Sequence, residues 1–383
     1  MSDTPIPFGK PQLDADAFDA VRSVLESGML VHGTVTPAFE AAFAQRIGAA
    51  EAVAVSSCTA GLHLTLFTRN IGPGDRVAVP AMTHVATAHS VELVGAQPVF
   101  IDVDPATGNM DPAALEAVDG PLAAIMPVHY LGLPCDMDRI HAVAQAKGAF
   151  VLEDCALAVD ATWGDQKAGT LGLAGSFSFY PVKHMTSIEG GMVTTNDPAL
   201  AHDLRRRRAF GYNRALGERT RPGLYDVDIL GMNYRISEVE AAVGLAQIAH
   251  LDDFMADRSR NDAALRAILS RIDGLTLFPD RHGKATSSHY CINAVLPQDG
   301  SVSRDRVVDG LNARKIGSSV HYPGPVPLFT YYSQKYGYKA GQFPVAEWLA
   351  DQTISLPVGP HLTKGDAERV GNAFQEAYSE ALR

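Results

Sequence analysis

Between residues 52 and 154 the chain alternates short apolar runs with segments of helix length, and few folds accommodate that rhythm. The runs AVAVS (52–56), RVAVP (76–80), PVFIDV (98–103), AAIMPV (123–128) and AFVLED (149–154) have the length and composition of buried strands. Stretches 59–68, 84–94, 111–117 and 136–147 separate them and suit helices. Strands joined through helices pair in parallel, because the crossover returns the chain to the same end of the sheet, and the helices then cover both faces. The expectation is an α/β fold of three layers with a mainly parallel central sheet. Ligands in such sheets sit at the carboxyl ends of the strands.

After residue 170 the rhythm breaks. GSFSFYPVKH and GGMVTTND are strand-like with little room for a helix between them, which predicts a hairpin or an edge of the same sheet. A long helix is expected from Ser237 to about Arg260, carrying Val239, Val243, Leu245, Ile248 and Leu251. It bridges, on this reading, a large unit over 1–245 that includes the N-terminal segment and a smaller C-terminal α+β unit over 246–383. The second unit mixes strands (CINAVLP, SSVHYP) with helices (262–271, 303–313, 364–380). At the start, Phe18, Val21, Val24 and Leu25 form a helical stripe that ends at Gly28. Thr36 caps a second helix with Phe39, Phe43 and Ile47 on one face.

Composition narrows the function. A chain of 383 residues, 46% hydrophobic and 20% charged, buries a substantial core, and its net charge of −11 argues against nucleic acid as a partner. The run Arg205 to Arg208 points around a helix and reads as a solvated face with one or two ion pairs. Cys58, Cys135, Cys155 and Cys291 form no CxxC pair, so neither a zinc site nor a disulfide framework is indicated, and a reducing cytoplasm fits best. The opening MSDTPIPFGKPQLDADAF does not resemble a secretory signal, and no run of 18 apolar residues suggests a membrane partner.

Three places carry chemistry. VLEDCA ends an apolar strand in Glu153 and Asp154, at the edge where this kind of sheet binds ligands, although helix capping explains such acids as well. Lys183 follows GSFSF and precedes a double glycine, with Ser178 five residues earlier; spacing alone does not separate it from an exposed lysine. In VSSCTAGLHL a strand breaks into Ser56, Ser57, Cys58 and Thr59 before a helix, which suits either a phosphate or an ordinary Ser/Thr cap. Taken together, an amine, an acid and a phosphate cup are what pyridoxal 5'-phosphate (PLP) requires of a protein. No GxxxxGK[ST] or GxGxxG motif competes for the phosphate.

Here the sequence resembles the DegT/DnrJ/StrS family of sugar aminotransferases, which share the aspartate aminotransferase fold (fold type I). The similarity runs through SGMLVHGTVTPAFEAAFA, VSSCTAGLHL, PAMTHVATAHSVELVGAQPVFIDVD, PVHYLGLPCDMDRI, EDCA, SFSFYPVKHMTSIEGGMVTTND, GMNYRISEVEAAVGLAQ, VHYPGPVPL and ISLPVGPHLT, in the family's order. The resemblance implies PLP held as a Schiff base on Lys183, with Asp154 facing the pyridine nitrogen and His84 stacked on the ring. It implies a phosphate held by Thr59, by the backbone around Cys58 and Ala60, and by Ser178. Asn233 is expected to reach the site of a neighbouring subunit in a homodimer with shared active sites, and Arg235, His321 and Tyr322 to lie near the substrate. His184, beside the lysine, is a further candidate for substrate contact. His63, His89 and His129 sit in apolar segments and read as hydrogen-bonded packing residues.

The reaction so implied moves nitrogen from L-glutamate to a keto-sugar, carried on a nucleotide and of the 4-keto-6-deoxyhexose type, for surface polysaccharide or related amino-sugar synthesis. A PLP-dependent sugar dehydratase and a non-catalytic protein that keeps the fold are the competing readings. Lysine at 183, where dehydratase relatives carry histidine, speaks against the first. Two departures from the family pattern stand out: Leu157 replaces a Gln or His able to reach the cofactor, and Cys58 replaces a glycine, which predicts a less free backbone.

Overall fold

The structure, a computed structural model, describes residues 4–213, 221 and 223–382. Two helices, α1 (Ala15–Ser27) and α2 (Val35–Ile47), lead into the alternating region. There β1 (Glu51–Val55), α3 (Cys58–Thr68), β2 (Arg76–Pro80), α4 (Val85–Leu93), β3 (Gln97–Ile101), α5 (Pro112–Glu116), β4 (Ala124–Ile125), α6 (Met137–Lys147) and β5 (Phe150–Asp154) follow one another. Two short strands, β6 (Thr162–Trp163) and β7 (Gln166–Lys167), precede β8 (Ala174–Ser178), β9 (Gly191–Thr195) and α7 (Pro198–Arg207).

The seven-stranded sheet has the order β1-β9-β8-β5-β4-β2-β3. Its β2–β3, β2–β4, β4–β5 and β5–β8 pairs are parallel, while β9 lies antiparallel to both β8 and β1. The β8–β9 hairpin therefore sits inside the sheet, and β1 closes the edge beyond it. Val53, Val77, Leu152, Phe177 and Val193 are fully buried, which explains why these strands read as unbroken apolar runs: helices cover both faces.

The C-terminal part contains a three-stranded antiparallel sheet, β10-β13-β14, in a chain that runs β10 (Thr276–Leu277), β11 (Arg281–His282), β12 (Ala285–Thr286), β13 (Cys291–Val295), α10 (Arg304–Ala313), α11 (Thr330–Tyr336), α12 (Pro344–Gln352), β14 (Thr353–Pro357), α13 (Lys364–Ala381). A fourth set of strands, β11-β12-β6-β7, joins residues near 165 to residues near 283. Strands of two residues leave no periodicity to read.

Several expectations need correction. The long helix from Ser237 is two helices, α8 (Glu238–Ala249) and α9 (Leu251–Leu269), which meet at His250; the expected division at residue 245 falls inside α8. The N-terminal segment joins the C-terminal apolar cluster, because Ile6 bonds Lys315 and Gly317 through its backbone (2.9 and 2.7 Å). Thr36 lies within α2 instead of capping it, and its hydroxyl donates to the buried Glu238 (2.5 Å), which also accepts the Val35 amide (2.8 Å). SSVHYP forms one bridge, Ser319 to Ser355, and no strand. The arginine run is a clamp: Arg205 pairs with Glu40 and Glu51, Arg206 with Asp228, Arg208 with Glu40, and Arg207 lies over the Phe67 ring.

Candidate active site

Side chains alternate across a strand, so the two acids that end β5 face opposite sides of the sheet. Glu153 is consumed structurally: it accepts the amides of Gly169, Leu171 and Gly172 (2.8, 2.8 and 2.7 Å) and the His129 Nε2–H (2.9 Å). His129 is fixed in that tautomer by the Cys135 amide on its Nδ1 (3.2 Å). Asp154 lies on the other face, toward α3 and α4, and is buried. Its Oδ2 accepts the Thr87 hydroxyl (2.8 Å), itself bonded to Thr83 (2.8 Å), and its Oδ1 accepts the Ala156 amide (3.1 Å). The Cys58 thiol stands 3.9 Å from that Oδ1.

Lys183 is carried on the connection between β8 and β9, with its backbone amide donated to the Tyr180 carbonyl (2.9 Å). Its amine lies 5.3 Å from the Tyr290 ring centroid. Burial pulls the amine's pKa below the ordinary lysine range, and the negative charge of Asp154 nearby opposes that shift without cancelling it. A neutralisable amine and a carboxylate held by hydroxyl and amide donors thus lie close enough to interact with each other and with Cys58.

Between them lies the start of α3. Ser57 caps the helix by accepting the Ala60 amide (3.0 Å), which leaves Cys58 and Thr59 as the amides without a helical partner. Ala60 is therefore not a free donor, contrary to the expectation that its backbone would hold a phosphate. Ser178 pairs with Gly191 in the hairpin, and a Cβ on Gly191 would stand 2.5 Å from the Ser57 carbonyl carbon and 2.6 Å from the Cys58 nitrogen. That approach brings Ser178 to the same helix end. Cys58 sits at the first helical position with negative φ, so the expected constraint on its backbone has no consequence. These residues fit PLP: two free amides and a serine for the phosphate, a carboxylate for the ring nitrogen, an amine for the aldehyde.

The remaining candidates divide into two groups. His84 caps α4, accepting the Ala86 amide on Nδ1 (3.2 Å), and its ring meets Tyr322 edge-on at 6.0 Å. Tyr322 touches His321 (5.5 Å), which touches Tyr290 (5.7 Å), so a continuous aromatic wall runs from His84 to the lysine. His321 donates to or accepts from Ser355 (3.0 Å), and burial lowers its pKa to about 3. Asn233 is exposed and its amide makes no hydrogen bond among the described residues, while Arg235 stacks on Phe210 (4.9 Å) instead of turning toward Lys183 within its own chain. His184 is also displaced from expectation: it is 2% exposed, donates Nε2–H to the Ser288 carbonyl (3.0 Å), and burial drives its pKa well below the usual value. It packs beneath the lysine loop.

Sequence reasoning missed Thr87 and Tyr290. Thr87 lies in the first turn of α4 and Thr83 just before its cap, so no helix face in the sequence pairs their hydroxyls. Tyr290 lies more than a hundred residues from Lys183 and carries no local signal.

This sheet, with an amine, a buried acid and an open helix terminus at one end, defines a PLP-dependent transferase of fold type I. The model of the DegT/DnrJ/EryC1/StrS aminotransferase family matches residues 11–375. The Bacillus subtilis (strain 168) spore coat polysaccharide biosynthesis protein SpsC is 37% identical over 377 residues, 97% of this chain and 96% of its own. Among solved structures, Helicobacter pylori PseC, an aminotransferase involved in the biosynthesis of pseudoaminic acid, superposes with a TM-score of 0.91 at 26% identity, covering 98% of this chain and all of that one. Spr1654 from Streptococcus pneumoniae in its PLP-form gives 0.92 at 25% identity, covering 99% and 100%. The chain belongs to the DegT/DnrJ/EryC1/StrS aminotransferase family.

Proposed function

We propose that the protein transfers an amino group from L-glutamate to a nucleotide-linked keto-sugar, of the 4-keto-6-deoxyhexose type, in the cytoplasm, for a surface polysaccharide or related amino-sugar. One observation carries the reading: the buried Lys183 amine and the Asp154 carboxylate lie close enough to interact with each other and with Cys58 at the open start of α3. Similarity to SpsC, named for a spore coat polysaccharide, and to Spr1654, described as a candidate sugar aminotransferase, supports the sugar substrate. All four cysteines are free and buried, as suits a reducing compartment, and no described helix is long and apolar enough to cross a membrane.

The Cys58 and Thr59 amides and the Ser178 hydroxyl would hold the phosphate of PLP, with Lys183 available to its aldehyde, Asp154 to its ring nitrogen and His84 to a ring face. Bound there, the cofactor supplies an electron-poor ring that acidifies the carbon bearing the nitrogen. The Lys183 Nζ would accept and return the proton of that carbon; its depressed pKa keeps a share of the amine neutral for the task. Thr87 and Ala156 hold the Asp154 carboxylate in place. His321 and Tyr322 line the substrate side, and burial holds His321 neutral.

Asn233 and Arg235 act, on this reading, in the site of a second copy of the chain. The surface around them supports a homodimer: Leu30, Ile188, Phe210 and Leu230 are exposed apolar residues on neighbouring segments, tied by the Glu238–Leu30 and Phe210–Met232 backbone bonds. Incubation with L-glutamate and a panel of nucleotide-linked keto-sugars tests the whole reading. Formation of an amino-sugar with one 2-oxoglutarate per turnover is expected; loss of water from the sugar without 2-oxoglutarate would replace it with dehydration.

A further inference from the structure

Arg258, on α9, is 3% exposed and makes no ion pair among the described residues. A buried guanidinium without a carboxylate is costly, so what it binds instead is informative. Asp262, one turn further along α9, is held by Arg266 (2.6 Å) and His289 (3.5 Å). The two terminal nitrogens of Arg258 donate to backbone carbonyls, one to His289 (3.3 Å) and Tyr290 (3.0 Å), the other to Lys183 (3.1 Å), while its buried Nε makes no hydrogen bond among the described residues. These carbonyls come from two segments a hundred residues apart in sequence. His289 adopts a positive φ of 53°, which turns the chain just before β13 at the residue whose carbonyl meets the guanidinium.

Both ends of the Lys183 backbone are then fixed, its amide by Tyr180 and its carbonyl by Arg258. The same guanidinium fixes Tyr290, whose ring lies 5.3 Å from the Lys183 amine. We infer that Arg258 is a positioning residue: it pins the Lys183 backbone to the His289–Tyr290 turn and so sets the amine over the Tyr290 ring. A planar fork of five donors can hold three carbonyls from two directions, which an ammonium on a flexible stem does less well. The action is geometric: Arg258 meets the Lys183 carbonyl and the turn that carries the Tyr290 ring, not the amine itself. This inference rests on Lys183 being the reacting amine, as proposed above.

Arg258→Gln and Arg258→Lys, made in the full chain, test it. A misplacement on the order of 1 Å costs roughly 100-fold in rate, so Arg258→Gln is expected to lower kcat for the glutamate half-reaction by about that factor, with KM within a few-fold of wild type and the midpoint of the pH profile unmoved. Arg258→Lys recovers part of the loss. In the cofactor-free proteins, mass spectrometry after treatment with an amine-acylating reagent reads Lys183 directly, and both variants are expected to acylate there faster than wild type. An Arg258→Gln protein with wild-type kcat, a shifted pH midpoint, or failure of both variants to fold would each overturn the positioning role, the last in favour of a purely structural one. Wild-type protein that takes up no PLP at Lys183 would instead remove the reading beneath it, and that control separates the two failures.

Discussion

Asp154 shows how a single residue's surroundings set its use. One oxygen accepts a threonine hydroxyl and the other a backbone amide, while its neighbour Glu153 spends both oxygens on a loop and a histidine. Asp154→Asn should therefore keep the fold and lose most of the turnover, whereas Thr87→Val removes one hydrogen bond to a charged group. That bond is worth about 1.5–3 kcal/mol to the folded state, so Thr87→Val should lower the melting temperature as well as kcat, read by thermal unfolding alongside steady-state kinetics. His321 gives a pH signature. Its folded pKa is about 3, while in the unfolded chain it takes a proton near 6.5, so between those values the unfolded state binds more protons and stability falls as pH falls. His321→Asn removes that contribution, and denaturant midpoints measured from pH 7 to pH 4 should decline less steeply in the variant than in the wild type.

Among the elements, the β8–β9 hairpin and the start of α3 are packed against each other so closely that Gly191 has no room for a methyl group. Gly191→Ala must push apart the Ser57–Cys58 backbone and the hairpin; overpacking of this kind costs about 1–3 kcal/mol. Lowered thermal stability together with weaker PLP retention, measured by absorbance after dialysis, is the expected result. The elements that build this corner were legible in the sequence. AVAVS, RVAVP and AFVLED lie within a residue of β1, β2 and β5, and 59–68 and 136–147 match α3 and α6 as closely, because each is a local pattern with its own stop signal. Asp154 and Ser178 end their strands, and Thr59 and Lys183 follow strand ends by a few residues, but spacing left each open to an ordinary structural role and only the family resemblance singled them out. What the sequence did not disclose is long-range. Glu238 caps α2 from some two hundred residues away, Arg258 reaches the Lys183 carbonyl from α9, and His184 turns into the interior although it adjoins the lysine. Nothing in a local window distinguishes a side chain facing a cavity from one facing the core beneath it.

Over the whole molecule, the candidate site joins the carboxyl end of a sheet to a C-terminal wall of Tyr290, His321 and Tyr322, while Asn233 is exposed on its own chain. If Asn233 serves a second copy, Lys183→Ala and Asn233→Ala proteins, each inactive alone, should complement. Random reassociation of equal amounts puts half the chains in mixed dimers, each with one intact site, so about a quarter of wild-type activity is expected after mixing and refolding; no recovery would assign Asn233 to its own chain's site. The central claim is chemical and lies at one atom, the Nζ of Lys183. Borohydride reduction of the PLP-loaded protein, followed by peptide mapping, tests it most directly. The account predicts a single pyridoxyl label on the peptide containing SFYPVKHMTS, at Lys183, and none in Lys183→Ala. A label on another lysine, or an unlabelled protein that still transfers nitrogen, would contradict it.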